Sequence, residues 1–163
     1  MTTRIRPATE ADVPLVLGLI GELAEYEKLA HEVTASEDDL RRSLFGSRPG
    51  AEVVIAECDG VTAGYALFFH NYSTFLGKRG LYLEDLFVRP ALRGRGIGKL
   101  LLSFLAKTAI ERDCARFEWA VLDWNESAIG FYKRLGAMPM DDWTVMRVTG
   151  EALERLAAAQ PSS

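Results

Sequence analysis

Two carboxylates, Glu84 and Asp85, stand side by side in an otherwise apolar run over residues 81–88, and a glycine-dense stretch, Arg93-Gly94-Arg95-Gly96-Ile97-Gly98, follows shortly after it. A carboxylate inside an apolar strand is costly unless paired, and desolvation raises its pKa toward the range useful for a base. Regular alternation sends Glu84 and Asp85 to opposite faces, so only one of them lines a given cleft. The glycine stretch suits a different task. Glycines at alternate positions let successive backbone N–H groups converge, and the positive end of a following helix adds to their pull on an anion. A phosphate-bearing ligand is the expected occupant. Further on, Tyr132 offers a phenol that stays protonated at neutral pH and can donate to a leaving group. Its spacing with Ala128, Phe131 and Leu135 also fits a core tyrosine.

Other chemistries find less support. The dinucleotide fingerprint GxGxxG fails because Gly98 comes one place early, and the P-loop fails because Arg93 replaces its first glycine and Leu100 its Ser/Thr. Cys58 and Cys114 have no CxxC or Cys/His cluster around them, so neither zinc nor a disulfide framework is expected. No Ser or Cys sits beside a His base, and His31 and His70 read as surface residues. The net charge of −4 argues against nucleic acid and favours a small cationic molecule.

The elements that must position these groups are legible. At 163 residues with 48% hydrophobic content, the chain is read as a single domain over residues 1–163. No apolar run reaches the roughly 18 residues of a membrane span, and the N-terminus lacks a signal-peptide pattern, so a cytoplasmic location without membrane association is expected. Thr9 and Asp12 start a helix that carries Val13, Val16, Leu17, Ile20 and Leu23 on one stripe and ends near Lys28. Ser36 and Asp39 start a second, reaching about Phe45. Residues 53–58 and 62–72 flank the Asp59-Gly60 hairpin signal, and residues 81–88 form the next strand. A helix from Ile97 then separates residues 81–88 from a strand at 116–122, which makes the two strands parallel neighbours, with a ligand site at their carboxyl ends. Asn125 opens another helix, closed by Gly136. Residues 143–148 read as a final strand and 151–159 as a terminal helix.

Arg-x-x-Gly-x-Gly between an apolar strand and an amphipathic helix resembles the coenzyme A pyrophosphate loop of the GCN5-related N-acetyltransferase (GNAT) superfamily. The likeness extends to Tyr82-Leu83-Glu84-Asp85-Leu86-Phe87-Val88, Val121-Leu122-Asp123-Trp124-Asn125, Phe131-Tyr132-Lys133-Arg134-Leu135-Gly136 and Glu22-Leu23-Ala24-Glu25-Tyr26-Glu27, which are similar to the diamine acetyltransferase branch (spermidine/spermine and thialysine enzymes). The resemblance implies an α/β fold with a mixed, mostly antiparallel sheet of six to seven strands, a parallel central pair and helices on both faces. It implies an acetyl-CoA-dependent N-acetyltransferase that needs no metal, acting on the primary amine of a small molecule by direct attack in a ternary complex.

Carried over position by position, the likeness assigns acetyl-CoA to Leu86, Phe87, Val88, Arg93, Gly94, Arg95, Gly96, Ile97, Gly98, Lys99, Asn125 and Tyr132, with the Val88 N–H facing the thioester carbonyl. Tyr132 becomes the general acid and Glu84 the base or ammonium ligand, while Tyr26, Glu27, Glu84 and Asp142 contact the acceptor. Ser73 stands where spermidine/spermine enzymes carry an Asp, which disfavours long polyamines. A lysine-like amine is the first expectation and a short diamine the second. The resemblance also implies a homodimer. A protein or peptide N-acetyltransferase and a catalytically silent coenzyme A-binding module are the alternatives.

Overall fold

In the computed structural model, which describes residues 1–162, the chain forms two compact units, residues 1–122 and the segment from Asp123 onward. The first unit holds a five-stranded sheet in the order β1 (Thr3–Pro7), β2 (Glu52–Cys58), β3 (Val61–Ser73), β4 (Lys78–Val88) and β5 (Phe117–Trp119). The first four strands pair antiparallel and β4–β5 parallel. Helices α1 (Val13–Tyr26) and α2 (Glu37–Phe45) lie between β1 and β2 in the chain, and α3 (Ile97–Glu111) between β4 and β5.

The start signals work as the sequence suggests. Asp12 accepts from the Thr9 N–H at 2.8 Å, and Ser36 and Asp39 cap each other's backbone reciprocally. The Asp59-Gly60 turn has positive φ at both residues, 51° and 80°, the type I′ signature that matches strand twist. On one face of the sheet, Val53, Ile55, Tyr65 and Phe87 bury against Val13, Val16, Leu19 and Leu23 of α1 and Leu40 and Leu44 of α2. The alternating residues Val54, Ala66, Phe68, Leu81 and Leu83 are buried as well, and α3 packs on β3 and β4 with Leu101 and Leu105 inward. Both sheet faces are therefore covered.

Two expectations about the sheet change. It has five strands among the described residues rather than six or seven, and the parallel pair lies at an edge rather than at the centre. The difference comes from residues 143–148, whose alternating sequence resembles a strand but which have no ladder partner among the described residues. Trp143, Val145 and Met146 are exposed there. Alternation makes a segment able to pair but does not supply the neighbour. The second unit contributes α4 (Glu126–Arg134) and α5 (Gly150–Ala158).

Candidate active site

Strand β4 departs from a regular pleat at the residue singled out by its chemistry. Leu67 of β3 pairs with Asp85, but its neighbour Phe68 pairs with Leu83, which leaves Glu84 as the extra residue of a β-bulge. An extra residue inverts the alternation beyond it. Leu81 and Leu83 lie on the α3 side of the sheet, whereas Asp85 and Phe87, beyond the bulge, lie on the α1 side with Tyr65 and Leu67. Glu84 and Asp85 thus share one side, and the expectation from regular alternation is corrected.

Glu84 is exposed rather than buried, so the desolvation argument made for it belongs to its neighbours. Asp85 is half-buried and accepts a hydrogen bond from the Tyr65 hydroxyl at 2.8 Å. Burial raises its pKa, and the Tyr65 bond opposes that rise. Glu27 caps the C-terminus of α1, and burial together with the negative charges of Asp85 and Glu84 holds its carboxyl above the usual glutamate range. Three carboxylates from two elements therefore sense one another. Such a cluster of carboxylates favours a cation.

The helix that delivers Glu27 is tied down close by. Arg89, just past β4, donates from Nη2 to Glu22 of α1 at 3.0 Å and from Nη1 to the Thr62 carbonyl at 3.2 Å. Tyr26 ends α1 and is partly exposed, with the Arg93 guanidinium over its ring at 4.6 Å. Arg93 Nε also donates to the Val88 carbonyl at 2.8 Å. The side chain predicted to face phosphate is thus folded back onto the strand end and Tyr26.

The parallel pairing covers only Leu81–Leu83 against Phe117–Trp119. Beyond Leu83, β4 runs on to Val88 beside β3, while β5 has ended. The Arg89 N–H bonds Ala63 of β3 at 2.8 Å. Successive N–H groups of a strand point to opposite edges, so the Val88 N–H points away from β3, to the side where β5 has stopped. Next comes the glycine loop. Gly94 and Gly96 have φ of 77° and 80°, a Cβ at either would meet nothing within 4 Å, and Gly96 caps α3 directly. Ile97 is buried, whereas Arg95 and Lys99 are exposed beside the helix start. Bare backbone, a helix N-terminus and two cations make an anion cradle that fits a pyrophosphate.

In the second unit, Asn125 caps α4 by accepting from the Ala128 N–H at 3.2 Å. Tyr132 is half-buried on α4, with the Phe131 ring 5.6 Å away. Asp142 is exposed in a turn between α4 and α5. Ser73 is buried at the far end of β3, its hydroxyl accepting from the Leu76 N–H at 3.3 Å, and pairs with Lys78, roughly 20 Å along β4 from Glu84. The hydroxyl serves the turn between β3 and β4. Asp85 and Tyr65 are the residues that sequence reasoning passed over; the adjacent acids were the visible signal for the first, and nothing distinguished the second from a core aromatic.

A parallel pair whose ladder ends where the longer strand bulges, followed by a glycine loop at a helix N-terminus, is the arrangement of an acyl-coenzyme A transferase of GNAT type. The acetyltransferase (GNAT) family model matches residues 20–137, and the chain belongs to that family. It is 41% identical to mouse thialysine N-epsilon-acetyltransferase, covering 96% of this chain and 98% of that one. To L-ornithine N5-acetyltransferase NATA1 of Arabidopsis thaliana it is 36% identical over 96% and 88% of the two chains. Among solved structures, an integron cassette protein from the mobile metagenome of V. cholerae superposes with a TM-score of 0.82 at 29% identity, over 98% and 99% of the chains. The protein is an N-acetyltransferase. No group of metal-ligating side chains occurs among its described residues.

Proposed function

We propose that this enzyme transfers acetyl from acetyl-CoA to the side-chain amine of a small lysine- or ornithine-like acceptor. The observation that carries the reading is the group of mutually repelling carboxylates Glu27, Glu84 and Asp85 beside the length of β4 that leads into the anion cradle. Three carboxylates select an ammonium, and the names of the thialysine and ornithine relatives agree with such an acceptor. The open edge of β4 offers backbone groups to an extended, amide-bearing ligand, as an added strand would use them.

Glu84 accepts a proton from the acceptor ammonium, directly or through water, and frees the nitrogen lone pair. That nitrogen attacks the thioester carbonyl, forming the C–N bond while the Val88 N–H stabilises the developing oxyanion. The C–S bond then breaks as the attacking nitrogen gives up its second proton to solvent, and the thiolate takes the Tyr132 phenolic proton, which solvent restores. The products are the N-acetyl amine, free thiol and one proton. The enzyme is a cytoplasmic homodimer in this reading.

Thiol release from acetyl-CoA is to be measured with thialysine, lysine, ornithine, putrescine, spermidine and a lysine-containing peptide. The expected order of kcat/KM places the amino acids first, putrescine next and spermidine after it. Preference for the peptide would replace this reading with protein acetylation. Coenzyme A binding without release for any amine would make the chain a silent binding module.

A further inference from the structure

Tyr65 is wholly buried within the cluster that joins α1 to the sheet, surrounded there by Leu19, Leu23, Ile55 and Phe87. A phenylalanine would fill that space without a polar atom to satisfy. The hydroxyl is instead spent on Asp85, two residues along the same face from the Phe87 that pairs with Tyr65. Burying a hydroxyl and a carboxyl together seldom stabilises a core beyond an apolar pair of similar volume. The pair sits where the core ends, since Tyr65 is wholly buried and Asp85 only half-buried, and Glu27 at the end of α1 is near enough to feel the Asp85 charge.

Resting on the amine-acetylation reading, we infer that Tyr65 is a positioning residue for the acceptor, acting through Asp85. Its hydroxyl holds the Asp85 carboxylate near Glu27, so that the two carboxylates grip the acceptor's cation from β4 and α1. The bulge is what makes this arrangement possible, because in a regular pleat that included Glu84, Asp85 would share the α3 side with Leu83. Without a cation between them, Asp85 and Glu27 repel, and the Tyr65 O–H offsets part of that repulsion by favouring the charged form of Asp85. Tyr65 itself stays protonated, since burial beside Asp85 pushes its phenol far above the usual range.

The test compares the wild type with Tyr65→Phe, Asp85→Asn and the double variant in the same thiol-release assay. Wild-type turnover with an amine is established first, and its absence would overturn the function reading itself. Given turnover, Tyr65→Phe should raise the amine KM by about tenfold, the effect of losing a hydrogen bond to a charged group. The acetyl-CoA KM should stay within about twofold of wild type, because Tyr65 lies outside the anion cradle. In the Asp85→Asn background the same substitution should add little, since it acts through the carboxylate. An unchanged amine KM in Tyr65→Phe, equal effects on both substrates, or effects that multiply in the double variant would each assign the pair to the core alone. Should Tyr65→Phe fail to fold, Asp85→Asn decides, and an unaltered amine KM there overturns the inference.

Discussion

The glycine loop permits a prediction in which stability and ligand binding move in opposite directions. Gly98 lies in the first turn of α3, where a Cβ would meet only the Val88 Cγ2, at 3.9 Å, an ordinary van der Waals contact. Its φ is not in the left-handed region. Gly98→Ala should therefore gain helix propensity, up to about 1 kcal/mol, and raise the melting temperature by about 2–4 °C. Gly96 is the contrary case, because its φ of 80° is one that alanine adopts at a cost of about 1–2 kcal/mol. Gly96→Ala should lower the melting temperature by about 2–6 °C. If the loop cradles a pyrophosphate, both methyl groups stand where oxygens must approach the backbone. Both variants should then weaken acetyl-CoA binding, by about 10- to 100-fold, equivalent to about 1.4–2.8 kcal/mol. Isothermal titration calorimetry at fixed ionic strength and differential scanning calorimetry measure the two quantities separately. A Gly98→Ala protein that melts higher and binds acetyl-CoA as well as wild type would refute the cradle, and the glycines would then serve only the strand-to-helix turn.

Two further predictions concern the chemistry. Tyr132→Phe should lower kcat by about 10²- to 10⁴-fold with the acetyl-CoA dissociation constant little changed; full turnover in that variant would remove the general-acid role. For Glu27, a folded-state pKa above the unfolded one means that its charged form costs stability above the unfolded pKa and nothing below it. Glu27→Gln should accordingly melt about 1–3 °C higher at pH 7, lose that advantage as the pH falls below about 4.5, and bind the amine more weakly at neutral pH. A lower melting temperature at pH 7 would show that the carboxylate is not under strain from Asp85 and Glu84.

Much of this was legible in the chain because the signals are local. The capping pairs Thr9/Asp12 and Ser36/Asp39 and the Asp59-Gly60 turn each depend on neighbours a few residues away, and each lies where its pattern suggests. The loop from Arg93 to Gly98 was read in the same way. What escaped depends on pairing between distant residues. The bulge at Glu84 exists only relative to β3, so alternation within β4 could not reveal that two adjacent acids share a side. For the same reason Glu84 appeared buried, and the Tyr65 hydroxyl, one atom on a core aromatic, could not announce its partner. Residues 143–148 differ in the opposite direction, having a strand's pattern but no strand to pair with among the described residues.

The bulge also divides β4 into two segments whose sequences answer to different demands. Up to Leu83 the inward residues are set by α3, and from Asp85 onward the same parity serves α1. Mutational tolerance should therefore change phase at Glu84: odd positions on its two sides face different helices, so substitutions that reshape the acceptor site need not disturb the packing of α3. Removal of Glu84 itself would do more than delete a carboxylate. It would also erase the bulge: Leu83 and Asp85 would become neighbours on opposite sides of a regular pleat, each still facing its present helix, whereas straightening the strand with every residue kept would force Leu81 and Leu83 or Asp85 and Phe87 to exchange sides.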